Sequence, residues 1–103
     1  MHHLNINAGI QLLPIYTKEH PYQWVDSVID LIKESGLEYE VGPFSTSVEG
    51  SYQRVHQLID RINDFLLQEQ CPEWILNVQY QIRSEGGVSA AEKTDKFKTG
   101  IVS

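Results

Sequence analysis

The chain has 103 residues, 41% of them hydrophobic and 10% aromatic, enough for one hydrophobic core and too few for two domains. Fourteen acidic residues against 8 Lys and Arg leave a net charge of −6, a field that would repel nucleic acid and anionic membrane surfaces and that suits a cationic ligand. No apolar run approaches the roughly twenty residues of a membrane span, and the N-terminus lacks the basic and apolar regions of a secretory signal, so a cytoplasmic location is expected.

The first element is NINAGIQLL, residues 5 to 13. Ile6, Ala8, Ile10 and Leu12 alternate there with Asn5, Asn7 and Gln11, which predicts a half-buried strand closed by Pro14. From Tyr22 to Ser35 the apolar residues Val25, Val28, Ile29 and Ile32 recur at helical spacing, and Gly36 stands where a left-handed cap is expected. LEYEV, 37 to 41, alternates again. Gly42-Pro43 then turns the chain into FSTSVE, giving a hairpin.

Ser51 is a good N-cap for a second helix running to about Gln70, with Val55, Leu58, Ile59, Ile62, Phe65 and Leu66 on one face. Cys71-Pro72 breaks it. Cys71 is the only cysteine, so no internal disulfide forms, and with no histidine beside it to activate it the thiol is expected to be structural. WILNVQYQIR, 74 to 83, is the last strand, and SAAE at 89 to 92 is a capping-box pattern for a short third helix to about Phe97.

Strand, helix, strand, strand, helix, strand is the split βαβ order. The expected fold is a single α+β, ferredoxin-like βαββαβ domain over 1–103, with an antiparallel sheet in the order 4-1-3-2 and both helices on one face. The other face is then open. Its residues are the polar register of each strand: Asn5, Asn7, Gly9 and Gln11 from the first, Ser45, Ser47 and Glu49 from the third, and Asn77, Gln79 and Gln81 from the last. Carboxamides offer paired donors and acceptors in fixed geometry, which is the chemistry for reading a heterocycle with ring nitrogens and an exocyclic amine. A plain solvated face, or a wet subunit interface, is the rival reading. The last strand is also a long edge strand with no charge until Arg83, so it or the open face is expected to be covered by another subunit, in a dimer or a dimer of dimers.

The stretches LLPIY, KESGLEYEVGP, FSTSVEGSYQRVHQLI and WILNVQYQIR together resemble the YkoF-like thiamine-binding protein family, over about residues 6 to 97. The most specific part is Gly42, Pro43, Ser45, Thr46, Glu49 and Gly50 directly before a helix. The resemblance implies a ferredoxin-like subunit, oligomers built through the sheets, and binding of thiamine or its hydroxymethyl-aminopyrimidine half, without a demonstrated general reaction. SEGGVSAAEK departs from the acidic and arginine-rich segment that one branch carries after the last strand.

Within that frame Glu49 is the expected charge partner or amine acceptor. The hydroxyls of Ser45, Thr46 and Ser47 can donate to ring nitrogens, and Gln11, Asn77 or Gln79 supply amide contacts. Phe44, Trp24, Tyr16 and Tyr80 are the aromatic candidates. Competing readings exist for several: Glu49 could favour the positive end of the following helix, Thr46 and Glu49 fall on opposite faces of a regular strand, and Trp24 and Tyr80 could equally be core. No Ser-His-Asp order, metal-ligand spacing or phosphate loop is present, so no enzyme, metal or cofactor is expected. The expected function is non-catalytic small-molecule binding, as a carrier, buffer or sensor. The alternative is an oligomerisation or regulatory module that binds a protein partner or another small effector.

Overall fold

A computed structural model describes residues 1–16 and 20–87. Six elements follow the expected order: β1 (Asn5–Ile15), α1 (Pro21–Glu34), β2 (Glu38–Val41), β3 (Thr46–Ser51), α2 (Tyr52–Gln68) and β4 (Glu73–Gln81). The strands form one antiparallel sheet in the order β2-β3-β1-β4, the expected 4-1-3-2 traced from its other edge. The third helix anticipated from SAAE lies outside the described residues.

The period-2 pattern of β1 decides which side of the sheet is covered. Ile6, Ala8, Ile10 and Leu12 are all buried, and with Val48 of β3 they meet Val28 and Ile32 of α1 and Val55, Leu58, Ile62 and Leu66 of α2 in one core. Ile6, Val55, Ile62 and Leu66 have no exposed surface, and full burial of such side chains contributes roughly 1.5–3 kcal/mol each.

Two details differ from the pattern in the sequence. Strand β1 runs through Pro14 to Ile15. Its pairing with β3 ends at Ile10↔Thr46, so from there on β1 is paired only with β4, and a residue lacking an N–H is tolerated where one side of the strand is free. In α1 the buried stripe is Trp24, Val28 and Ile32, spaced by four, while Val25 and Ile29 lie half-buried beside it. The helix is rotated from the stripe that Val25, Val28, Ile29 and Ile32 suggest, because the large indole of Trp24 takes the inward position.

Caps fix the helix ends. Ser51 is extended at φ −64°, ψ 148° and its hydroxyl accepts from the Arg54 N–H at 3.2 Å, as the sequence suggests. Two further free donors of α2, the N–H groups of Tyr52 and Gln53, are taken by the carbonyls of Leu4 and His2 at 2.9 and 3.0 Å. Gly36 follows α1 with φ +77°, the left-handed residue anticipated there. Helix α2 stops without a glycine: Gln70 itself takes φ 62°, and the Cys71 N–H returns to the Leu66 carbonyl at 3.0 Å. Cys71 is buried, and its thiol faces the Glu73 carbonyl at 3.6 Å.

A carboxamide hollow beside an acidic one

Pairing register turns the uncovered face into a grid. One row across the sheet is Glu40, Ser47, Gly9, Gln79; the next is Glu38, Glu49, Asn7, Gln81; and Gln11 pairs with Asn77 beyond the end of β3. Neighbours in a row are about 4.8 Å apart and successive rows about 6.7 Å apart. The face is therefore graded, with carboxylates toward β2 and carboxamides toward β4. Leu13 and Ile75, paired and both exposed, close its far end with an apolar patch.

The carboxamide half holds a hollow of about 400 Å³ lined by Gly9, Gln11, Phe44, Ser45, Asn77, Val78 and Gln79. That volume lies inside the ~300–1,000 Å³ range of small-molecule sites. Asn77 Nδ2 donates to Gln11 Oε1 at 3.1 Å, which orients both side chains. Whichever way the two amides are turned, their bond uses one donor and one acceptor. An acceptor on one residue and a donor on the other are left over from that bond, the group types that an amine and an azine nitrogen require.

A smaller hollow of about 120 Å³ adjoins it, lined by Asn7, Glu38, Tyr39, Glu40, Ser47, Val48 and Glu49. Glu38 and Glu49 face each other directly in the β2·β3 pair. The hydrogen bond that a protonated Glu38 donates to the Glu49 carboxylate, and then the charge of that carboxylate, raise the Glu38 carboxyl above its ordinary value. Asn7 Nδ2 is buried here and has no partner among the described residues, so this acidic hollow also holds one free donor.

Five of the nine expected ligand residues thus line one hollow: Gln11, Phe44, Ser45, Asn77 and Gln79. Ser47 and Glu49 line its neighbour. The remaining two stand elsewhere. Thr46, 6% exposed, belongs to the same register as Val48 and pairs with Ile10, so its side chain lies on the helix-covered side. Trp24 is in the core on α1, also behind the sheet, with its Nε1 buried and unpartnered among the described residues. Alternation in β3 and the four-residue spacing of Trp24, Val28 and Ile32 place both residues there.

Tyr16 is exposed at the end of β1, and Tyr80 sits in the inward register of β4, 6.0 Å from the Tyr52 ring. Burial, followed by the neighbouring Tyr52 and Asp60, raises the Tyr80 phenol above its ordinary value. The first donors of α2 are taken by His2, Leu4 and Ser51. The sequence reading left Glu38 and Glu40 out of the open face, although they are the polar register of LEYEV and the strand order puts that register beside Glu49.

A third hollow, about 240 Å³, lies on the helix side between Ser35, Leu37, Arg54, Gln57, Leu58 and Arg61. Its two arginines are engaged. Arg54 donates to the Ser35 carbonyl at 3.0 Å and Arg61 pairs with Glu34 at 3.1 Å. Among the described residues no group of three His, Cys, Asp or Glu side chains is arranged to hold a metal ion, and no helix is long and apolar enough to cross a membrane.

A sequence model of the thiamine-binding protein family matches residues 8–98. A UPF0045 protein of Clostridium perfringens is 29% identical over 92 residues, which are 89% of this chain and 96% of that protein. Among solved structures, a domain of unknown function from Bacillus cereus superposes with a TM-score of 0.83 at 23% identity, covering 96% of this chain and 95% of the other. A provisionally assigned thiamine biosynthesis/salvage protein of Thermotoga maritima gives a TM-score of 0.81 at 25% identity, covering 90% and 98%.

Proposed function

The chain belongs to the thiamine-binding protein family, and on that premise we propose that its open sheet face binds thiamine or the hydroxymethyl-aminopyrimidine half of it, without catalysis. The Gln11–Asn77 pair carries the reading, because its own hydrogen bond leaves it one acceptor and one donor in a hollow of ligand size. An aminopyrimidine presents the matching edge, a ring nitrogen beside an amine. The adjoining carboxylates give thiamine's permanently cationic thiazolium an acidic neighbour: Glu49 is one strand over and two residues along from Gly9, roughly 8 Å away. Phe44, 83% exposed at the rim of the larger hollow, offers a ring for stacking on the cation, worth ~0.5–2 kcal/mol.

Calorimetry with thiamine and with free hydroxymethyl-aminopyrimidine tests this. Saturable binding at micromolar concentration, about −8 kcal/mol, is expected. Absence of both heat and thermal shift with either compound overturns the reading.

The same face supports self-association. Strand β4 is an edge of nine residues whose one charged member is Glu73, at its start, and Leu13 and Ile75 are 41% and 47% exposed on the open side. A homodimer or dimer of dimers is therefore expected by light scattering. A second reading, a regulatory module docking a protein partner, draws on that same edge; a stable hetero-complex from cells with no thiamine-class ligand retained would favour it.

A further inference from the structure

We propose that Gly9 is the residue that sets which ligands the open face admits: its bare backbone is the floor on which a planar azine lies face down. This rests on the aminopyrimidine-binding reading and adds a specificity determinant to it. Gly9 sits in the middle of β1, a central strand, where a glycine weakens pairing and side-chain packing relative to alanine. Something has to offset that weakness, and nothing in the described part of the chain does.

Each other described glycine has a visible reason. Gly36, Gly86 and Gly87 have φ of +77°, +76° and +69°. A Cβ on Gly42 would stand 2.9 Å from the Ser45 carbonyl oxygen, and one on Gly50 would meet Leu37 Cδ2 at 2.5 Å. At Gly9 the backbone is not in the left-handed region, and a Cβ would meet only Ser45 Oγ, at an ordinary 3.8 Å. The protein itself therefore accommodates a Cβ at residue 9.

What a side chain would fill is the hollow. Gly9 lies between Ser47 and Gln79 in its row and between Asn7 and Gln11 along the strand, all with side chains on the same face. Its missing Cβ leaves the depression whose wall is the oriented Gln11–Asn77 pair. A flat ring can approach the bare peptide there within van der Waals distance while its edge meets the two amides. A puckered or face-substituted ring would be held off, so planarity is what the floor selects.

Gly9→Ala and Gly9→Val separate this from a structural role, using the full chain. Binding of thiamine and of hydroxymethyl-aminopyrimidine is measured by calorimetry, with melting temperature and oligomeric mass on the same samples. Melting temperatures should equal or exceed that of the wild type, because alanine and valine suit a strand better. Affinity for both ligands should fall by about tenfold for alanine and about a hundredfold or more for valine, the range reached when methyl groups intrude on a fitted pocket. Wild-type binding with Gly9→Val unaffected overturns the role of Gly9 and leaves the binding reading standing. A lower melting temperature for Gly9→Ala, or loss of the wild-type oligomer in Gly9→Val, also overturns it, since the glycine would then serve the fold or a neighbouring subunit. A wild-type protein that binds neither compound overturns both.

Discussion

Replacing Glu49 by glutamine preserves its shape and removes its charge, and the open face makes the consequence calculable. A cation about 4 Å from a carboxylate gains ~1 kcal/mol in bulk water and ~4 kcal/mol at an effective dielectric constant near 20. Glu49 is half-buried in its row between Glu38 and Asn7, so an intermediate value of about 2 kcal/mol is appropriate, roughly thirtyfold in Kd. Hydroxymethyl-aminopyrimidine lacks the thiazolium and should lose far less. The substitution also removes the repulsion that Glu38 meets across the β2·β3 pair, so at neutral pH Glu49→Gln should be no less stable than the wild type. Calorimetry with both ligands, beside thermal melts, reads the two effects separately. Unchanged thiamine affinity, or an equal loss for the charged and the uncharged ligand, would refute the assignment of Glu49 to the cation.

The same pair gives a pH dependence. The Glu38 carboxyl is raised above 4.5 by its hydrogen bond with Glu49 and by the charge of that group, so the folded protein favours its protonated form. Stability on this account is full below about 4.5 and is lost as pH rises through the raised value; the advantage of Glu49→Gln should appear at neutral pH and vanish in acid melts. Ser51→Ala removes the hydroxyl that accepts from Arg54 N–H and should cost about 1 kcal/mol, lowering the melting temperature by roughly 4–8 °C in a tryptophan-fluorescence melt. Ile62→Ala, at a residue with no exposed surface, should cost about 2–5 kcal/mol by urea denaturation. Thr46→Val should leave thiamine affinity within calorimetric error, because that side chain lies behind the sheet.

Strand alternation carried most of the fold and placed five of the nine expected ligand residues along one candidate hollow. The even-numbered apolar residues of β1 fix its buried face, and the same alternation in β4 exposes Asn77 and Gln79 opposite Gln11 and Gly9. Where residue chemistry and register disagreed, register prevailed. Thr46 looks like a ligand hydroxyl and Trp24 like a stacking wall, yet two-residue and four-residue periodicity turn both inward. The Gln11–Asn77 hydrogen bond, the opposition of Glu38 and Glu49, and the separation of the face into two hollows depend on how strands distant in sequence align. No local pattern encodes that alignment. Strand β1 extended past Pro14 for a similar reason, since β3 ends early and leaves its neighbour unpaired there.

The most direct test of the open-face site is an amide-resolved NMR titration of the uniformly nitrogen-15-labelled protein with thiamine. The backbone amide of Gly9 and the side-chain amides of Gln11, Asn77 and Gln79 should shift together along one saturation curve. Shifts confined to Arg54, Gln57 and Arg61 on the helix side, or none that saturate, would contradict it.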